Sequence, residues 1–193
     1  MTRAFVLHAH PCTESYSAAL HGVVTRTLAA RGWQVDGCDL YAEGFDPLLS
    51  AEERRGYHDI GPNLLPVADY VQRLRAADAL ILVAPVWNYG FPAILKGFFD
   101  RVFLPGVSFR MAGGVTRPAL THMSRLCAVT TYGGSRMKAL WAGDPPRRIV
   151  TRVLRATTNP ARMRYLALYD MNRADDARRT AFLDRVRKEM EVF

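Results

Sequence analysis

A chain of 193 residues with a net charge of +8 and a hydrophobic fraction of 49% has the length of one α/β domain, spanning 1–193, and the composition for a sizeable core. No apolar run reaches the about 18 residues that a membrane span needs, and Met1–Leu7 lacks the features of a secretory leader, so a cytoplasmic protein with no membrane span is expected. Three cysteines, Cys12, Cys38 and Cys127, are odd in number and far apart, which argues against a disulfide framework and a zinc site; no metal is expected.

In chain order, Ala4–Leu7 is a continuous apolar run of the kind that forms a buried parallel strand. Residues 16–31 follow as a helix closed by Gly32, and Trp33–Leu40 reads as a second strand. Residues 41–63 hold three glycines and two prolines, which predicts a long loop with one helical turn. Leu64–Ala76 is a helix and Ala79–Ala84 a third strand. Pro92–Phe103 is the clearest helix: proline sits at its start, and Ile94, Leu95, Phe98, Phe99, Val102 and Phe103 make one apolar stripe. Leu126–Thr131 is a fourth strand, Arg147–Thr157 a helix, Met163–Leu168 a fifth strand, and Ala174–Met190 a closing helix.

Strands that alternate with helices imply βαβ units, hence a doubly wound five-stranded parallel sheet in a three-layer α/β/α sandwich. Ligands then bind beyond the carboxyl ends of the strands, near the switch in strand order. Three loops fall on that edge. The first, His8–Ser17, carries Thr13, Ser15 and Ser17 where a helix begins, which suits an anion; the same hydroxyls also serve as ordinary caps. It is neither a P-loop nor a GxGxxG fingerprint. The second, Pro85–Pro92, offers Trp87 and Tyr89 as flat faces for a planar heterocycle, or as packing for the domain or a subunit interface. The third, Thr130–Ser135, has paired glycines that allow backbone to approach a ligand, or simply to turn.

The 26 basic residues are nearly all Arg, densest from Arg147 to Arg155 and from Arg173 to Lys188. Solvated helix faces account for them, with attraction of a phosphorylated cofactor as a second role. Nucleic-acid binding is not expected, because the aromatics lie in the core helix and the second loop rather than among the arginines.

Together, His10-Pro11 with Ser15-Tyr16-Ser17, the long segment Pro85–Phe103, and Thr130-Thr131-Tyr132-Gly133-Gly134 resemble the NAD(P)H:quinone oxidoreductase family, flavodoxin-like flavoproteins, and its compact bacterial members in length. The resemblance implies a tightly bound flavin, FMN or FAD, with NADH or NADPH as donor and a quinone or similar small molecule as acceptor. It implies flavin phosphate and ribityl contacts from His10, Ser15, Tyr16 and Ser17. It implies ring contacts from Pro85, Val86, Trp87, Asn88 and Tyr89. At the pyrimidine end it implies Thr130, Thr131, Tyr132, Gly133 and Gly134. Independently of the resemblance, Arg136 or Lys138 is a candidate to add positive charge there. No catalytic side chain is implied, since the flavin carries the chemistry. A homodimer is implied. Related alternatives are a flavin-binding ancillary subunit of a potassium-efflux system, or an azo, nitro or flavin reductase using the same site.

Overall fold

The three central strands of the sheet are buried along nearly their whole length, and this sets the rest of the architecture. In the computed structural model, which describes residues 1–193, β1 (Arg3–His8), β2 (Gln34–Asp39), β3 (Ala79–Val86), β6 (Arg125–Tyr132) and β7 (Arg162–Leu168) form one parallel sheet. The order is β2-β1-β3-β6-β7, the flavodoxin-like arrangement, with its switch point between β1 and β3. Side chains alternate between the two faces of each strand. Phe5, Leu7, Leu80, Leu82, Leu126 and Ala128 enter the core under α4 (Ala68–Arg75) and α5 (Ala93–Val102). Val6, Ile81, Val83, Cys127 and Val129 face the opposite way, against α1 (Tyr16–Ala30) and α9 (Asp176–Val192).

All five expected strands are present, each within two residues of its expected ends. Elsewhere the local structure differs from the expectation. Residues 41–63 hold α2 (Ala51–Arg55), started by a reciprocal Ser50–Glu53 capping box, and most of α3 (Ile60–Leu64). The expected helix Leu64–Ala76 begins as a 3₁₀ turn at Leu65–Val67, because Pro66 lacks an N–H, and becomes regular only in α4. Arg147–Thr157 is interrupted too. It comprises α7 (Pro145–Arg148), a π-helical turn Ile149–Leu154, and α8 (Arg155–Thr158). The Thr151 hydroxyl donates to the Arg147 carbonyl at 2.8 Å, competing for an acceptor of the regular ladder.

Two elements were not anticipated. A hairpin, β4 (Phe109–Ala112) with β5 (Val115–Pro118), turns at Gly113-Gly114, both at positive φ as a two-residue primed turn requires. A short helix, α6 (Arg136–Trp141), follows the third loop, capped by Ser135. On α5, Gly97 lies so close to Pro47 that a Cβ would sit 2.4 Å from the Pro47 carbonyl oxygen, so only glycine lets this loop cross the helix.

Candidate functional site

A cavity of about 580 Å³ opens at the carboxyl edge of the sheet, where β1 and β3 diverge. Its walls come from four loops. The first loop contributes His10, Ser15, Tyr16 and Ser17. Ser15 is the N-cap of α1 and accepts from the Ala18 N–H at 3.1 Å, so the free N–H groups and positive end of this helix lie beside the cavity. The buried Ser17 hydroxyl has no partner in the protein. Tyr16 is anchored the other way, donating to the Arg179 carbonyl at 2.7 Å, and burial pushes its phenol up to about 12. His10 accepts from the Cys12 N–H at 3.0 Å through Nδ1, which places the proton of the neutral ring on Nε2. Its ring meets Trp87 edge-on at 5.6 Å, joining the first loop to the second.

The second loop contributes Pro85, Val86, Trp87 and Asn88. Trp87 and Gly90 exchange two backbone hydrogen bonds, 3.0 and 2.8 Å, so Asn88-Tyr89 is a two-residue turn. Both residues are left-handed, with φ of 49° and 58°. Asn tolerates this conformation; Tyr does so only under strain that the surrounding bonds must hold.

Thr131 and Gly133 come from the third loop. A Cβ on Gly133 would lie 3.1 Å from the Asn172 amide nitrogen, so the bare backbone keeps this wall open. Met171 and Asn172 complete the lining from the loop after β7, which sequence reasoning did not include. That loop is tied to the third by the Asp170 N–H donating to the Gly134 carbonyl at 2.9 Å. Asp170 reverses the chain from a left-handed conformation, for which the only sequence signal is an Asp-Met-Asn turn after a strand.

Ten of the fourteen residues singled out from the sequence therefore meet around one cavity. Four do not line it. Thr130 is wholly buried and turns to the Leu166 carbonyl. Tyr132 points inward, to Asp144 and Tyr165. Tyr89 stands at the rim, its hydroxyl 3.7 Å from where a Gly134 Cβ would be, and Gly134 serves the loop junction.

Two polar clusters brace the site from below. Asp144 is buried and left-handed at the head of α7, where Pro145 and Pro146 supply no N–H for it to cap. Its carboxylate accepts from Tyr132 instead, and burial together with Tyr165 and Asp144 holds the Tyr132 phenol protonated far above its ordinary range. On the other side, His8 Nδ1 lies 3.0 Å from Asp39, and the His8 ring stacks on His21 at 4.8 Å. Burial opposes the charge on Asp39, but the His8 bond and the Ala42 and Tyr41 N–H groups outweigh it and keep its pKa below the usual value.

Known proteins resemble this chain in sequence and fold. A 30% identical stretch of 154 residues matches NAD(P)H dehydrogenase (quinone) 1 of Rattus norvegicus, covering 72% of this chain and 56% of that protein. The chain thus spans little over half the length of that curated relative. Smu.1420 from Streptococcus mutans superposes with a TM-score of 0.87 at 26% identity over 100% of both chains. The NAD(P)H:quinone oxidoreductase of Methanothermobacter marburgensis superposes at 0.86, with 24% identity over 98% of each chain, and shares the fold. The flavodoxin-like fold family matches residues 2–192, in keeping with the strand order described above, and the chain belongs to that family.

Proposed function

We propose that the cavity binds a flavin, FMN or FAD, and that the protein is a cytoplasmic oxidoreductase moving two electrons from NADH or NADPH to a quinone or similar flat acceptor. The observation that carries this reading is the unpartnered Ser17 hydroxyl at the head of α1. A buried hydroxyl without a partner costs about 1–3 kcal/mol, and a phosphate or ribityl oxygen there would satisfy it. The bare Gly133 wall and the His10–Trp87 pair fit the same group, leaving a slot between backbone and aromatic faces. Two-electron hydride chemistry is what a flavin supplies when bound.

The chain's own residues bind and orient. Ser15 fixes the start of α1, and α1 directs its N–H groups at an anion. The Asn88-Tyr89 turn sets the height of Trp87 over the cavity, and the third loop presents backbone where negative charge would gather. Trp87 and Tyr89 remain 41% and 39% exposed at the rim, leaving an aromatic face for a nicotinamide, an acceptor or a second copy in a homodimer.

The test is a visible spectrum of the purified protein, followed by NADH or NADPH without oxygen. A flavin spectrum that bleaches with nucleotide and returns with a quinone supports the reading, and chromatography of the released cofactor separates FMN from FAD. A colourless protein that takes up no added flavin overturns it.

A further inference from the structure

Among the buried polar atoms that have no partner in the protein, three belong together: Ser17 Oγ, His21 Nε2 and His8 Nε2. Ser17 and His21 stand at i and i+4 on α1, so they share one face, about 6 Å apart along the helix axis. His8, the last residue of β1, points to the same side as Ala4 and Val6, toward α1, and its ring stacks on that of His21 at 4.8 Å and 18°. The neighbouring strand β2 backs both rings. Its last residue, Asp39, holds His8 Nδ1 at 3.0 Å, and a Cβ on Gly37 would touch the His21 ring at 3.6 Å.

The cluster has two unlike ends. A carboxylate only accepts, so His8 donates from Nδ1, and its neutral ring keeps a bare lone pair at the buried Nε2. His21 is half-buried, so a proton can reach its ring from water. The titratable groups that act on it are His8, from β1, and Asp39, from β2; burial and His8 outweigh Asp39 and hold its pKa down to about 4. At the other end Ser17, 5% exposed, opens on the cavity at the head of α1. An anion bound there would set negative charge about 10 Å from the His21 ring. Two negative charges at about 10 Å, in an effective dielectric of about 30, favour a proton on the ring by about forty-fold.

We propose that His21 takes up a proton when a phosphate group docks at the head of α1, so that the protein holds a phosphorylated ligand more tightly in mild acid. The inference deepens the flavin reading and rests on it for the identity of the ligand; free phosphate carries the same chemistry. His21 is a positioning residue: it touches neither the ligand nor a reacting atom, and acts through the turn of α1 that carries Ser17. His8, fixed by Asp39, keeps the His21 ring neutral while the site is empty of charge, so the proton arrives with the anion and returns to solvent when the anion leaves. Packing alone does not account for two imidazoles here, since aliphatic side chains would fill the space between α1 and the sheet without leaving ring nitrogens unsatisfied.

The experiment titrates the flavin-free full chain, beside His21→Gln, with FMN, with FAD, with riboflavin, which has no phosphate, and with inorganic phosphate. Calorimetry in two buffers of unlike ionisation enthalpy, from pH 8 to pH 5, reports affinity and proton uptake together. The phosphate of FMN titrates near about 6 in the presence of either protein, so the difference between the two proteins isolates His21. The ratio of their affinities at pH 8 is the baseline. At pH 5 the parent should gain about five-fold on the variant and take up about 0.7 of a proton more, whereas riboflavin should show neither effect. A second measurement needs no variant: the His21 imidazole C–H resonance of the parent should titrate at about 4 without ligand and above about 5 with the flavin phosphate bound. One midpoint in both states, an affinity ratio that does not change with pH, or equal uptake with riboflavin overturns the proposal while leaving the flavin reading intact. If neither FMN nor FAD binds at any pH, the flavin reading falls and inorganic phosphate decides this one: uptake that His21→Gln abolishes supports it, and no uptake ends it.

Discussion

Tyr132 donates to the buried carboxylate of Asp144 across 2.6 Å, fastening the last residue of β6 to the head of α7. The third loop leaves β6 at this point, so the bond fixes one wall of the cavity from beneath. Asp144 keeps only a distant second contact, with the Tyr169 hydroxyl at 3.5 Å. Tyr132→Phe therefore strands a buried acceptor and should cost about 1–3 kcal/mol of stability in urea unfolding. Tyr165→Phe leaves the Asp144 bond intact and should cost less. Equal losses would show that the Tyr132–Asp144 bond is not the fastening.

Ser17→Ala separates binding from folding. The hydroxyl contributes no bond within the protein, so its removal should leave unfolding of the flavin-free protein unchanged or slightly more difficult. Flavin affinity should fall about ten-fold by fluorescence titration, the worth of one hydrogen bond to a charged group. An unchanged affinity would place the phosphate elsewhere.

Gly133→Val acts on the opposite wall. The side chain would press on Asn172, which a Cβ alone would approach to 3.1 Å. The variant should purify with little or no flavin absorbance, although circular dichroism shows it folded. A fully flavinated variant would remove the third loop from the site.

His21 makes stability depend on pH in a defined window. Burial, and then the neighbouring His8, lower its pKa from 6.5 to about 4, while Asp39 opposes the shift. The folded protein holds His21 neutral at pH values where the unfolded chain already binds a proton. Stability should therefore decline as pH falls from 6.5 to about 4. His21→Gln should flatten Tm against pH across that interval; an identical slope in the variant would assign the dependence to other groups.

Gly97→Ala tests the crossing of the 46–48 loop over α5. Its Cβ would meet backbone atoms of Pro47, which cannot swing aside as a side chain can. A loss of about 1–3 kcal/mol is expected, although alanine is the better helix former. A neutral or stabilising result in urea unfolding would mean that the loop yields freely.

The central strands were legible because a parallel strand covered on both faces is written as an unbroken apolar run, as in Ala79–Ala84. The α5 helix was legible from its stripe of Ile94, Leu95, Phe98 and Val102, all buried. What escaped had little or no apolar periodicity. Ala139 is the only inward residue of α6, so Met137, Leu140 and Trp141 give no sign of a helix packed on a core. The hairpin strands β4 and β5 are exposed over most of their length, and only Gly113-Gly114 marks their turn. In the site, side chains of alternate residues leave a strand in opposite directions, so Tyr132 dives inward although its neighbours Thr131 and Gly133 reach the cavity. Asn172 arrives on a turn whose geometry depends on left-handed Asp170, a backbone state that residue type alone does not specify.

The uneven placement of charge along the chain becomes, once folded, a separation in space. Acid-rich β2 and the segment after it occupy one edge of the sheet, and the arginine-rich elements around β7 the other. The molecule is accordingly a permanent electric dipole. A negative body approaching it exerts a torque before any contact is made, and the protein turns its basic edge toward the newcomer while both are still diffusing. Encounters that would otherwise be spent on rotational search arrive already oriented, and this advantage fades as added electrolyte shortens the reach of the field.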